Sequence, residues 1–237
     1  MSTLLESIAR LRSEVCSLHA ELTRYQLVVW TAGNVSARVP GHDLMVIKPS
    51  GVSYDALTPE LMVVTDLYGT PVRSLSAAGA DGAAVSWPNP DLTPSSDTAA
   101  HAYVYRHMPE VGGVVHTHST YATAWAARGE PIPCVLTMMG DEFGGTIPVG
   151  PFALIGDDSI GRGIVDTLAQ STSPAVLMQN HGPFTVGKDA RSAVKAAVMC
   201  EEVARTVHIS RQLGEPLPID PAQIDSLYAR YQNVYGR

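Results

Sequence analysis

Cysteine is scarce in this chain and cationic charge is in the minority. The three cysteines, Cys16, Cys134 and Cys200, are odd in number, far apart and without a CxxC spacing. That excludes a disulfide framework or a cysteine zinc site as the organising feature and fits a reducing compartment. With 16 Lys and Arg against 23 Asp and Glu, the formal net charge is −7, so there is no broad basic footprint for nucleic acid or an anionic membrane. An anionic small molecule would have to be held locally. No apolar run approaches the roughly 18 residues of a membrane span. Glu6, Arg10, Arg12 and Glu14 interrupt the N-terminal stretch where a secretory signal would carry its apolar core. The expectation is a soluble, cytoplasmic protein without internal repeats.

What is present is core-forming material: 45% of the 237 residues are hydrophobic, enough for one large domain or two small ones. Leu4, Ile8, Leu11, Val15, Leu18 and Leu22 recur at helical spacing, which predicts an opening amphipathic helix ending near Arg24. Leu44–Lys48, Leu61–Asp66, Gly113–His118 and Val176–Gln179 are short, rich in Val, Ile and Leu, and bounded by turn formers, so they read as strands. Helical patterns cover Asp97–His107 behind Ser95 and Ser96, Ser159–Gln170, and Asp189–Leu213, where Gly214 is placed to end the last turn. Strands and helices alternate, which defines an α/β class and leaves strand direction open. The segment 73–91 (RSLSAAGADGAAVSWPNPD), rich in Ala, Gly, Ser and Pro, has little periodicity and reads as a long, flexible surface loop.

The sharpest local signal is Gly113-Val-Val-His116-Thr-His118-Ser119. Two histidines two apart on a strand leave the same face and can share one ion, although an isolated pair is as often two ordinary polar residues at a strand end. A third histidine, His181 in Gln179-Asn180-His181-Gly182-Pro183, ends another apolar strand at a Gly-Pro turn. Three neutral imidazoles with an open position suit a catalytic first-row metal, zinc first and manganese second. Asp97 stands at the mouth of a helix, either as a simple cap or as a carboxylate partner to the histidines. The same helix start offers backbone N–H groups and the hydroxyls of Ser95 and Ser96 to a phosphate. Gly33-Asn34-Val35-Ser36 and Lys48-Pro49-Ser50-Gly51 repeat the small-residue theme, each either an ordinary turn or a place where backbone approaches a ligand, and Lys48 adds one positive charge.

These segments, together with Gly145-Thr146-Ile147-Pro148, His181-Gly182-Pro183-Phe184 and Tyr235-Gly236, occur in an order that resembles the class II aldolase (aldolase/adducin head) family, and in particular its sugar-phosphate epimerases, over nearly the whole chain. The resemblance implies one domain spanning 1–237, a three-layer α/β/α subunit with a mostly antiparallel central sheet. It also implies a homotetramer with active sites between neighbouring subunits. It assigns one divalent ion, zinc or manganese, to His116, His118 and His181, with Asp97 beside them, and a phosphorylated sugar to Gly33, Asn34, Lys48, Ser50, Gly51, Ser95 and Ser96. The implied activity is the epimerisation of L-ribulose 5-phosphate to D-xylulose 5-phosphate, as in L-arabinose breakdown. An alcohol carbon without an acidic proton is inverted there by breaking and remaking the neighbouring carbon-carbon bond. By the same resemblance Asp141 and Tyr235 move the protons, Tyr235 reaching in from the adjacent subunit; local sequence would select neither. Aldolases of fuculose or rhamnulose 1-phosphate are the nearest alternative, but they resemble this chain with Glu where Asp97 stands. A noncatalytic adducin-head-like module is the other alternative, and the intact histidine trio argues against it.

Overall fold

Thr3 starts the first helix by a reciprocal cap: its hydroxyl accepts the Glu6 amide at 3.2 Å while the Glu6 carboxylate accepts the Thr3 amide at 2.8 Å. The fold is that of a computed structural model, which describes residues 3–76, 84–86, 89 and 91–235. The chain runs α1 (Leu4–Arg24), β1 (Asn34–Arg38), β2 (Leu44–Ile47), β3 (Val63–Asp66), β4 (Ser74–Ser76), β5 (Ala84–Ser86), α2 (Thr98–His107), β6 (Gly113–His116), α3 (Thr120–Arg128) and α4 (Thr137–Phe143). It continues with β7 (Val149–Gly150), α5 (Ser159–Leu168), β8 (Ala175–Met178), β9 (Gly182–Gly187), α6 (Ala190–Leu213), α7 (Pro221–Arg230) and a π turn (Tyr231–Tyr235). None of the helices among the described residues is long and apolar enough to cross a membrane.

The central sheet has the order β3-β2-β1-β6-β9-β8-β7, and each neighbouring pair is antiparallel except β7 with β8. The mostly antiparallel sheet that the resemblance implied is therefore present. Period-two alternation fixes the layers. Along β6, Val115 packs with the Ile8, Val15 and Leu22 stripe of α1 and with Ala193 and Ala197 of α6. Val114, on the opposite face, packs with Ala100 and Val104 of α2 and Ile160 and Ile164 of α5. Along β8, Ala175 and Leu177 join α3, α4 and α6, while Val176 and Met178 face the α2 and α5 layer. Helices cover both faces, giving three layers.

Several expected bounds shift. Leu61 belongs to a 3-10 turn, Pro59–Leu61, so β3 starts at Val63. The segment read as an unstructured loop over 73–91 contains an antiparallel ribbon, β4 with β5, in the register Ser74↔Ser86, Leu75↔Val85, Ser76↔Ala84. Leu75 of this ribbon packs on the α1 core, an anchor that a composition dominated by small residues concealed. Residues 77–83, 87, 88 and 90 of that segment lie outside the described residues. Helix α6 begins at Ala190 because the Asp189 carboxylate accepts the Ser192 amide at 2.7 Å, and Gly214 ends it at φ 148°.

Strand β6 and helix α6 meet at a glycine: a Cβ on Gly113 would lie 2.4 Å from Ala190 Cα. Gly113→Ala is therefore expected to push α6 off the sheet and cost about 1–3 kcal/mol, the usual range for overpacking, or a thermal midpoint lower by about 2–12 °C. A thermal melt with an unchanged midpoint would show that the helix does not rest there.

Candidate metal and active site

The register of three strands lines up one row of side chains: Asn34 of β1 pairs with His116 of β6, which pairs with Phe184 of β9. The Phe184 ring stacks on the His116 imidazole, centroids 4.1 Å apart and 16° from parallel. His116 Nδ1 lies 3.1 Å from the Pro183 carbonyl oxygen, and a carbonyl can only accept, so Nδ1 carries the proton. That leaves the Nε2 lone pair buried and without a hydrogen-bond partner. Strand β6 ends at His116, so His118 is not the strand residue expected; it stands in the link to α3 and still turns to the same place. His181 lies in the β8–β9 turn, whose left-handed corner is Asn180 at φ 58°, a conformation that Asn tolerates better than most residues. The expected Gly182-Pro183 turn is instead the start of β9.

The three rings converge, with centroids 4.7 Å (His116 to His118), 4.5 Å (His116 to His181) and 5.3 Å (His118 to His181) apart. One ligand nitrogen from each lies within 4.8 Å of the others, a span that small side-chain rotations close onto an ion with bonds of about 2.1 Å. Burial pushes the His116 pKa down to about 3 against the raising effect of Asp97, and burial lowers that of His181 as well. Both rings are therefore neutral at ordinary pH. A buried lone pair with no donor to satisfy it, in an all-imidazole set, fits a divalent metal ion.

Asp97 occupies the N-cap position of α2, but its side chain makes no cap bond; the reading of it as a helix cap is set aside. Its Oδ2 accepts from Asn34 Nδ2 at 2.7 Å, and the same amide donates to Ser95 Oγ at 2.8 Å. Burial opposes the ionised form, yet His116, His101 and the Asn34 hydrogen bond outweigh it and hold the Asp97 pKa below the usual carboxylate range. The carboxylate is a buried anion beside the trio and not one of its three clustered ligand atoms.

The seven residues expected at a phosphate, Gly33, Asn34, Lys48, Ser50, Gly51, Ser95 and Ser96, border one cavity of about 340 Å³ together with Asp97, His118 and His181. The loops are fastened side by side by Ser50 N to Thr93 O at 2.8 Å and Ser95 N to Lys48 O at 2.9 Å. Those two amides are therefore spent on the scaffold, and the helix start offers a phosphate less than the sequence suggested. Lys48 is buried at 2% exposure, with Nζ donating to Thr31 O at 3.3 Å and Pro49 O at 3.2 Å. Two of its three N–H groups are used and one remains for the cavity; burial lowers its pKa. Gly33, at φ 82°, lets the backbone pass where a Cβ would come within 2.6 Å of Val28.

Asp141 does not border this cavity. It sits on α4, which packs against α7 and the π turn that ends at Tyr235; the side chain of Tyr235 lies outside what the structure describes. Sequence reasoning also missed residues behind the site. Glu201 of α6 caps α3 from a distance, its carboxylate accepting the amides of Tyr121 and Ala122 at 2.9 Å each, and so steadies the link that carries His118. No local signal marks it. The hydroxyls of Ser36 and Tyr105 and the His101 ring form a buried chain below Asp97, which the spacing of Asp97, His101 and Tyr105 by four could have suggested.

A family model described as Class II Aldolase and Adducin N-terminal domain matches residues 13–208, and the chain belongs to that family. It is 39% identical over 235 residues to L-ribulose-5-phosphate 4-epimerase UlaF of Salmonella paratyphi B, covering 93% of this chain and 94% of that one. Among solved structures, an L-fuculose 1-phosphate aldolase superposes with a TM-score of 0.80 at 22% identity, covering 94% of this chain and 96% of its own. The l-fuculose-1-phosphate aldolase of Thermus thermophilus gives 0.66 at 25% identity over 88% of this chain and 99% of its own.

His116→Ala, His118→Ala and His181→Ala are each expected to lose divalent metal while remaining folded. Metal content by elemental analysis alongside circular dichroism checks this. Full occupancy in all three variants would remove these residues from the ion.

Proposed function

We propose that the chain is an L-ribulose-5-phosphate 4-epimerase that works in the cytoplasm as a zinc-dependent homotetramer. The observation that carries this reading is the convergence of three imidazoles, two of which, His118 and His181, border a cavity whose wall also presents Lys48, Ser50 and Ser96. It is supported by 39% identity to the Salmonella epimerase over 93% of the chain. The three cysteines are free thiols, which agrees with a reducing cytoplasm.

Zinc, when held by His116, His118 and His181, would supply Lewis acidity at the ketose carbonyl. Lys48 and the hydroxyls of Ser50 and Ser96 hold the phosphate, which fixes carbon 5 at the wall and carbons 1 to 3 at the floor. Removal of the carbon 4 hydroxyl proton lets that carbon become a carbonyl while the electron pair of the C3–C4 bond moves toward carbon 2. Glycolaldehyde phosphate, still held by its phosphate, turns its other face and the bond re-forms, so the configuration at carbon 4 inverts without breaking its C–H bond. Two proton-transfer groups are needed on opposite faces. Asp141, on a helix that does not border its own chain's cavity, and Tyr235, in the π turn packed on that helix, would complete the site of an adjacent subunit.

The deciding experiment incubates metal-loaded protein with L-ribulose 5-phosphate, and separately with L-fuculose 1-phosphate, assaying D-xylulose 5-phosphate, dihydroxyacetone and dihydroxyacetone phosphate. The expected result is D-xylulose 5-phosphate without accumulation of either triose. Net cleavage of L-fuculose 1-phosphate with no epimer formed would make the chain an aldolase. Asp141→Asn and Tyr235→Phe are expected to keep the ion yet lose about 10²-fold or more in turnover, as for removal of a positioned acid or base. Co-assembly of His116→Ala with Tyr235→Phe subunits should restore part of the activity. Mixed tetramers, identified by differential tags, that stay as inactive as their parents would place Tyr235 in its own subunit's site.

A further inference from the structure

Behind Asp97 lies a buried cluster of polar side chains that the reaction as described does not use. His101, one helical turn after Asp97 on α2, is completely buried. Its Nδ1 lies 2.7 Å from Ser36 Oγ, and Ser36 Oγ lies 2.8 Å from Tyr105 OH, both partners equally buried. Its other ring nitrogen, Nε2, has no hydrogen-bond partner, and neither has Asp97 Oδ1; both atoms are buried. Two orphaned polar atoms this deep each cost about 1–3 kcal/mol unless something bridges them, so their occurrence one turn apart on the same helix calls for a common partner.

The proton positions follow from electrostatics. Were Nδ1 protonated and donating to Ser36, the buried and unpartnered Nε2 would add a lone pair to a ring that already feels the Asp97 anion. With Nε2 protonated, Ser36 donates to Nδ1, Tyr105 donates to Ser36, and the ring offers an N–H instead of a lone pair within the field of the carboxylate. Every donor and acceptor in the chain then has a use. Burial drives the His101 pKa down to about 4 despite the opposing pull of Asp97, so the ring is a neutral donor and not a second cation.

We propose that His101 is a positioning residue for Asp97: the hydroxyls of Tyr105 and Ser36 lock its imidazole in the Nε2–H tautomer, which holds Asp97 Oδ1 through one buried water. Asn34 grips Oδ2 from the sheet and His101 steadies Oδ1 from within the helix, so the carboxylate is fixed at both oxygens while its charge stays beside the histidine trio. Buried water ordinarily bridges a donor and an acceptor that would otherwise both lack partners.

The kinetic part of the test rests on the epimerase reading; the spectroscopic part does not. Long-range proton–nitrogen NMR of zinc-loaded protein carrying ring-15N histidine, with His101 assigned from His101→Gln, should show the proton on Nε2 and an unprotonated Nδ1. A proton on Nδ1, or on both nitrogens at neutral pH, overturns the proposal whatever the enzyme's substrate. Ser36→Ala should release the lock and give a mixture of tautomers; an unchanged pure Nε2–H ring would show that Ser36 does not set it. For turnover, His101→Leu should lower kcat about 10-fold with KM and zinc content unchanged. His101→Gln, whose amide N–H replaces the ring N–H, should recover most of it. Full kcat in His101→Leu, or a Gln variant as slow as the Leu variant, overturns the positioning role. Absence of turnover in the unaltered protein would sink the epimerase reading alone, with the tautomer still decided by NMR.

Discussion

The antiparallel register of β1, β6 and β9 is the constraint from which the site follows. Because Asn34, His116 and Phe184 share one row, the amide that holds Asp97, the buried imidazole of the histidine trio and the ring that stacks on it are set by backbone pairing before any side chain is placed. The period of a strand is two, so a slip of one residue in β6 would turn His116 toward α1 and α6 and put Val115 among the other two histidines. The residues on either side of this row enforce the register. Val114 is buried among α2 and α5 and Val115 among α1 and α6, and both faces of the sheet are covered.

Charge is managed by burial and not by abundance. The chain carries a net charge of −7, yet the cavity offers an anion one concealed lysine and two exposed serine hydroxyls, beside a histidine cluster in which burial keeps His116 and His181 neutral. Neutral imidazoles keep their lone pairs for a metal, and the Asp97 anion next to them favours a cation at the same spot. The two preferences reinforce each other. Asp97 tolerates burial because Asn34 donates to it and because the histidines lie close, an arrangement in which losing either contact would leave an unpaired carboxylate in a dry place.

Much of this was legible in residue patterns, and the parts that were not share a cause. The apolar spacing of α1 and the Asp189 and Gly214 boundaries of α6 are local signals and agree with the structure to within a residue. Strands β1 and β9 were hidden because Gly33-Asn34-Val35-Ser36 and His181-Gly182-Pro183 read as turn formers; what makes them strands is pairing with β6, distant in sequence from both. The ribbon of β4 and β5 was hidden for a similar reason, its two apolar residues being too few to show a period. His116, His118 and His181 could be grouped because metal chemistry restricts which side chains can share an ion. Asp141 and Tyr235 follow from family resemblance alone: Asp141 stands off the border of its own chain's cavity, and neither residue carries a local mark of a role.

The central claim is that this register builds a site which inverts carbon 4 by opening and closing a carbon-carbon bond and never by removing the hydrogen attached to that carbon. It is tested most directly by running the reaction in deuterium oxide and locating deuterium in the D-xylulose 5-phosphate formed. The account predicts no deuterium at carbon 4 even after many turnovers, because the C–H bond there stays intact while the bond to carbon 3 breaks. Deuterium at carbon 4 would mean that the site works by proton abstraction, and the account would be wrong.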